Sequence, residues 1–286
     1  MSNAKITSSL VSVQWLAENF EAGNLVILDA SMKPVTPVGD ASSQGGTTCI
    51  KGARRFDFDN DIREKNTDLP HMMPSAEFFT EEMQKLGINQ DSAIVIYDYV
   101  GVYSSPRAWW MFRAMGHEQV AVLNGGLPAW KQAGLPCGEQ AETKASRRGD
   151  FVAHPRAGLF CDSTHVREAL ADSAFAVLDA RSPGRFKGVE PEPRAGLRGG
   201  RMPNSLNLPF ADVVVNGSMQ PSAQLESIFS KLVKKEQKLI FSCGSGVTAC
   251  IDALAAELAG YQNISVYDGS WAEWGSPSSG LPVEQG

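Results

Sequence analysis

Cys243 is the residue in this chain most able to do chemistry. It closes an apolar, β-prone run (Leu239, Ile240, Phe241) and precedes Gly244, Ser245 and Gly246, after which an alanine-rich helical pattern begins at Val247. A strand, a tight loop and a helix start are expected there. Such a loop aims several backbone N–H groups at one point, backed by the positive end of the helix dipole. The anion on hand is the Cys243 thiolate, so the setting favours thiolate over thiol and makes Cys243 a nucleophile near neutral pH. A buried structural cysteine is the plainer reading. Gly244 and Gly246 around a polar Ser245 weigh against it, because a packed core has no need of two glycines at a strand end.

Three further groups can complete a site. Ser245 can donate to or accept from whatever Cys243 binds. The segment from Asp59 to His71 offers a carboxylate, an imidazole and thus the orienting half of a Ser-His-Asp arrangement; spacing alone reads His71 as a surface loop histidine. The loop Arg181–Arg201 (RSPGRFKGVEPEPRAGLRGGR) is rich in arginine, whose fork matches a planar carboxylate with two parallel bonds. By charge pattern alone it is a solvated loop.

The elements that must position these groups come in two similar sets. Leu25–Ala30 (LVILDA) is echoed by Ala176–Ala180 (AVLDA), Ile94–Asp98 (IVIYD) by LIFSC before the second loop, and NGGLPAW from Asn124 by DGSWAEW from Asp268. Between Pro136 and Gly158 the chain turns polar and loses periodicity, as a linker does. The fold class expected is α/β, with strands alternating with helices in both halves and each parallel sheet covered on both faces. Ligands of such sheets sit beyond the strands' carboxyl ends, where Cys243 falls. Asp98 occupies the matching place in the first half, so chemistry is expected in the second half alone.

Composition narrows the partners. The 286 residues allow two domains, and 43% hydrophobic with 20% charged residues is ordinary for a soluble globular chain. A net charge of -6 argues against nucleic acid or an anionic membrane as partner. Five scattered cysteines (Cys49, Cys137, Cys161, Cys243, Cys250) show neither metal-ligand spacing nor a disulfide framework, so no metal site is expected. They fit a reducing, cytoplasmic compartment. MSNAKITSSL lacks the basic and apolar regions of a signal peptide. Cys250 reads as a core residue, and a reversible disulfide at Cys49 or Cys137 stays open.

WWMFRAMGH (Trp109–His117), GGLPAW (Gly125–Trp130), RFKGVEPEPR (Arg185–Arg194) and CGSGVTA (Cys243–Ala249) together resemble the two-domain rhodanese superfamily, and more closely its 3-mercaptopyruvate sulfurtransferase branch. The resemblance implies tandem rhodanese-like domains: residues 1–138, inactive with Asp98 in place of cysteine, a linker 139–157, and a catalytic domain 158–286. It carries substrate-carboxylate binding onto Arg185 and Arg194, proton handling onto Ser245, His71 and Asp59, with Asp57 as the alternative carboxylate, and sulfur stabilisation onto the amides of Gly244, Gly246, Val247 and Thr248. It implies 3-mercaptopyruvate as sulfur donor, a Cys243 persulfide, and a thiol, cyanide or thioredoxin-type acceptor. Thiosulfate-using relatives carry a basic pair after the cysteine where this chain has Gly244-Ser245. Arg201-Met202-Pro203-Asn204 and Asn124 depart from the family pattern. A thiosulfate sulfurtransferase and a persulfide carrier without turnover remain as rival readings. A cysteine phosphatase is disfavoured, because position 249, where its arginine is needed, is Ala.

Overall fold

The computed structural model describes residues 3–36, 48–139 and 141–286. Part of the expected polar loop Ser31–Asp68 and residue 140 of the expected linker lie outside the described residues. The chain forms two compact units, one of Met1–Lys65, Met73–Arg156 and Asn216–Met219, the other of Asn66–Met72, Ala157–Val215 and Gln220–Gly286.

Unit 1 is built on a five-stranded sheet in the order Leu10–Val11, Val120–Leu123, Ala93–Tyr97, Leu25–Asp29, Arg54–Arg55, with every neighbour parallel. All five residues of the central strand Ala93–Tyr97 are buried, as expected for a strand covered on both faces. Ala93, Val95 and Tyr97 pack with Leu16, Leu127 and Trp130, while Ile94 and Ile96, pointing the other way, are also fully buried. Local signals set the helices. Ser75 Oγ accepts from Phe78 N and starts Ala76–Lys85, and Ser12 Oγ accepts from Trp15 N and starts Val13–Glu18.

Unit 2 repeats the plan with strands Phe160–Cys161, Ile264–Tyr267, Lys238–Ser242, Phe175–Asp179 and Leu206–Asn207, again all parallel. Lys238–Ser242 takes the central place that Ala93–Tyr97 holds in unit 1. Val166, Val177, Ile240, Tyr267, Trp271 and Trp274 fill the core on one face. The buried helix Ala249–Leu258 packs on Lys238–Ser242 and Ile264–Tyr267.

Two expectations change. The stretch 139–157 is not a free linker, since residues up to Arg156 belong to unit 1. Ala145 N and Gly149 N donate to Lys85 O and Gln84 O, and Phe151 N donates to Ile88 O. Phe151 is fully buried against Phe79 and Phe112. Its isolated apolar side chains anchor the strap without any periodicity to reveal it. Likewise the segment Asn66–Met72, with His71, belongs to unit 2 although it falls within the first half of the sequence.

The loop after the central strand of unit 1 is closed by its own side chain. Asp98 Oδ1 accepts from the amides of Val100 and Gly101, and Oδ2 from the amides of Tyr103, Ser104 and Ser105 and from Ser105 Oγ, all at 2.7–3.0 Å. Burial pushes this carboxyl up, and the Ser105 hydroxyl and amides pull it back. Replacing Asp98 by Ala leaves those buried donors without an acceptor. Urea unfolding is expected to show a loss of at least ~3 kcal/mol, with Asp98→Asn costing less because one oxygen remains.

Candidate active site

In unit 2 the same turn follows Lys238–Ser242, and Cys243 stands where unit 1 has Asp98. The two loops read DYVGVYSS and CGSGVTAC, sharing Gly-Val at the same offset, and both glycines have positive φ, +131° at Gly101 and +75° at Gly246. A side chain at either position would strain the turn. Cys243 is buried at 2% exposure, with its backbone held on both sides. Its N–H donates to Ser270 Oγ at 3.2 Å, and its C=O accepts from Trp271 N at 2.9 Å. Ser270 itself sits at φ +48° and donates to Tyr267 O.

The amides of Gly244, Ser245, Val247 and Thr248 make no hydrogen bond to any described residue, and two of their counterparts in unit 1, those of Val100 and Tyr103, donate to Asp98. Such a set of oriented donors is an anion cradle. The helix it feeds runs from Ala249, two residues later than the sequence pattern suggests, and has no side-chain cap on its N-terminus. Cys250 is buried on this helix and donates through Sγ to Gly246 O at 3.3 Å.

Arg185 and Arg194 flank the cradle. A Cβ built on Gly244 would lie 3.1 Å from Arg185 Nη2 and 3.6 Å from Arg194 Nη1, so a side chain here would press on Arg185 and touch Arg194. Arg185 rides on the short helix Pro183–Lys187, capped by Ser182 and ended by Gly188 at φ +75°. Its guanidinium is held by Glu192 through Nη2–Oε2 at 2.6 Å and Nε–Oε1 at 3.3 Å. Glu192 Oε1 also takes Arg181 Nη1 at 2.7 Å, and Arg181 in turn binds Asp179 and stacks on Trp271 at 4.0 Å. Arg181 and Arg185 of this loop are thus tied down by ion pairs, while Val189, Glu190 and Pro191 stay exposed. Three guanidinia against two carboxylates leave one positive charge in excess.

Ser245 joins these groups to His71. Its Oγ accepts from Arg194 Nη2 at 3.1 Å and lies 3.1 Å from His71 Nδ1, which is also 3.2 Å from Ser245 O. With Nδ1 unprotonated the ring accepts the Ser245 hydroxyl proton; with Nδ1 protonated it donates to Ser245. A proton can therefore pass between hydroxyl and imidazole. His71 is 3% exposed at φ +63°, a buried residue in a backbone conformation rare outside glycine, not the surface histidine that spacing suggests. Asp59 lies in unit 1, as does Asp57, whose carboxylate is engaged by Arg55 at 3.4 Å and by Asn60.

A rhodanese-like domain matches residues 12–133 and again residues 162–277. The chain belongs to the rhodanese family. Among rhodanese-family proteins it is 38% identical over 282 residues to the 3-mercaptopyruvate sulfurtransferase of Homo sapiens, covering 96% of this chain and 94% of that one. It is 36% identical over 280 residues to the 3-mercaptopyruvate sulfurtransferase of Escherichia coli (strain K12), covering 97% and 98%. Its fold superposes on the crystal structure of SseA from Escherichia coli with a TM-score of 0.80 at 33% identity, covering 93% of this chain and 99% of that one. On the Tum1 protein of Saccharomyces cerevisiae the TM-score is 0.85 at 27% identity, covering 97% and 98%.

Sequence reasoning brought Cys243, Ser245, Arg185, Arg194 and His71 forward, and in unit 2 Ser245 bridges His71 and Arg194 beside the cysteine loop. It missed Asp179, Arg181, Glu192 and Ser270. Glu192 lay in view within RFKGVEPEPR, but its alternation with proline resembled solvated loop. Among the described residues no group of three or more His, Cys, Asp or Glu is placed to hold a metal ion, and no helix is long and apolar enough to cross a membrane. Glu192→Ala strips two arginines of their shared carboxylate, one of them with a fully buried side chain. Thermal and urea unfolding are expected to register a loss of about 3 kcal/mol, the cost of leaving a buried ion pair half broken.

Proposed function

We propose that this chain is a sulfurtransferase that takes sulfur from 3-mercaptopyruvate onto Cys243 and passes it to a thiol, to cyanide or to a thioredoxin-type dithiol. The Cys243 thiolate attacks the donor sulfur. A sulfur–sulfur bond forms, the carbon–sulfur bond breaks, and its electron pair passes to the donor methylene as the enolate of pyruvate. The proton of the donor thiol ends on that carbon, giving pyruvate and a Cys243 persulfide anion. Ser245 with His71 is the relay for this proton. Discharge follows when an acceptor sulfur or cyanide carbon attacks the outer sulfur and restores the thiolate.

The observation that carries this reading is Asp98. From Cα outward, an aspartate oxygen and the outer sulfur of a cysteine persulfide stand at the same bonded distance. The five amides and one hydroxyl around the Asp98 carboxylate therefore outline what the equivalent cradle of unit 2 suits: a persulfide anion on Cys243. The choice of donor rests on charge. One excess positive charge at Arg181, Arg185 and Arg194, set beside uncharged Gly244-Ser245, suits a donor with a single carboxylate better than the compact thiosulfate dianion.

Cys243→Ser is expected to abolish pyruvate release, and substantial residual turnover would sink the proposal. Side-by-side assays should show kcat/KM higher for 3-mercaptopyruvate than for thiosulfate; the reverse order makes the chain a thiosulfate sulfurtransferase. Pyruvate released once per chain, without turnover, makes it a carrier. Arg185→Gln or Arg194→Gln should raise the 3-mercaptopyruvate KM by about tenfold or more, the loss expected for a charge-assisted carboxylate contact.

A further inference from the structure

Asp252 has no part in the scheme above, yet it lies behind the nucleophile. It sits in the first turn of Ala249–Leu258, the helix that the Cys243 loop feeds, among neighbours that are alanine, isoleucine, leucine and cysteine. It is fully buried, and both its carboxyl oxygens lack a hydrogen-bond partner among the described residues. An ionised carboxylate in such a place is very costly, and a buried acid relieves the cost by keeping its proton.

The charges that act on it make ionisation worse. Burial pushes its carboxyl well above the usual carboxylate range, and the Cys243 sulfur, then Asp179 and Asp212, push it further the same way. Cys243 faces it from the loop, Asp179 from the end of the neighbouring strand, and Asp212 from the turn Phe210–Asp212, which packs on this helix. Arg181, which pairs with Asp179, is also taken up by Glu192.

The duplicated unit supplies an internal control. Counting nine residues on from Asp98, as Asp252 is nine on from Cys243, leads to Arg107, also fully buried in the corresponding helix. At this position unit 1 carries a buried arginine and unit 2 a buried aspartate. The charge at this position is inverted between otherwise matching scaffolds.

We propose that Asp252 is a positioning residue that works as a neutral acid behind the Cys243 cradle, and that loss of its proton to solvent sets a second negative charge behind the sulfur and turns the site against anionic donors. While it keeps the proton, the cradle carries only the charge of the thiolate or persulfide. Once the proton is lost, the field at Cys243 opposes the approach of any anion. The inference requires only a reactive Cys243, so it stands or falls separately from the choice of sulfur donor.

The test compares alkylation of Cys243 by iodoacetate, an anion, and by iodoacetamide, its neutral analogue, from mildly acidic to alkaline pH. Both reagents react with the same thiolate, so the ratio of their rates cancels the thiolate fraction and reports the local field. In the unmutated chain the ratio is expected to fall severalfold in a single step as pH rises. In Asp252→Asn, which keeps shape without an ionisable proton, the step should vanish. A ratio with no step in the unmutated chain, or a step that survives in Asp252→Asn, overturns the proposal. Asp252→Val serves in the same comparison if the Asn variant does not fold, and the unmutated profile decides by itself if neither does.

Stability gives an independent readout. An acid whose folded form holds its proton more tightly than the unfolded chain stabilises fully below the unfolded value and loses that contribution as pH rises towards the folded value. The Tm of Asp252→Asn relative to the unmutated chain should therefore climb as pH rises above the ordinary carboxylate range. A difference that stays flat with pH contradicts a neutral Asp252.

Discussion

Convergent backbone amides at the carboxyl end of a central parallel strand are the constraint on which both units depend. A right-handed crossover brings the chain off that strand into a helix, and the tight loop between them turns several N–H groups inward. Buried donors need an acceptor. Unit 1 answers with Asp98, whose two oxygens take five amides and a hydroxyl. Unit 2 places a cysteine at the same position, where sulfur chemistry can supply the anion. The same backbone position thus carries a structural lock in one unit and a cysteine in the other.

Around the cradle the arrangement of charge follows from burial. Arginines reaching into a half-buried site must be held, or they swing to solvent and lose the geometry that makes a forked contact selective. Here the holding runs inward from Arg185 to Glu192, Arg181 and Asp179, and ends on the strand adjoining the one that carries Cys243. Each carboxylate in that chain offsets a guanidinium, so the site presents two arginine faces but little surplus charge. Arg194 is held differently, by Ser245, which makes the hydroxyl sensitive both to the cation and to His71. The hydroxyl accepts from Arg194 on one lone pair and meets His71 at the same time, so the cation polarises the O–H that faces the imidazole.

What the sequence revealed was mostly local. Apolar runs of strand length, Ser75 before a helical pattern, and the LDA echo are each written within a few residues. They gave the parallel α/β repeat, the place of Cys243 and its counterpart Asp98. The features that escaped depend on distant partners. Phe151 is one aromatic in a polar stretch, and only Phe79 and Phe112 make it an anchor for the strap that spacing read as a linker. His71 precedes Met73–Arg156 of unit 1 in sequence, yet it packs against Ser245, 174 positions away. Glu192 resembled a solvated acid because nothing in VEPEP announces the two arginines folded onto it. Asp252 was overlooked for the opposite reason: an alanine-rich helix pattern tolerates a polar residue on a face assumed to be wet, and here every residue from Ala249 to Ala256 is buried.

The two units also show what changes when a fixed anion is exchanged for one that comes and goes. Asp98 never leaves its amides, so a buried cation on the following helix, Arg107, is compatible with it at all times. A guanidinium behind Cys243 would hold the sulfur anion in every state, and would oppose its discharge to an acceptor as much as it aided its formation. Catalysis gains only from interactions that are stronger in the transition state than in the states on either side. Amides of a cradle meet that requirement where they point at the atom on which charge changes, and a fixed charge buried in the core behind that atom does not.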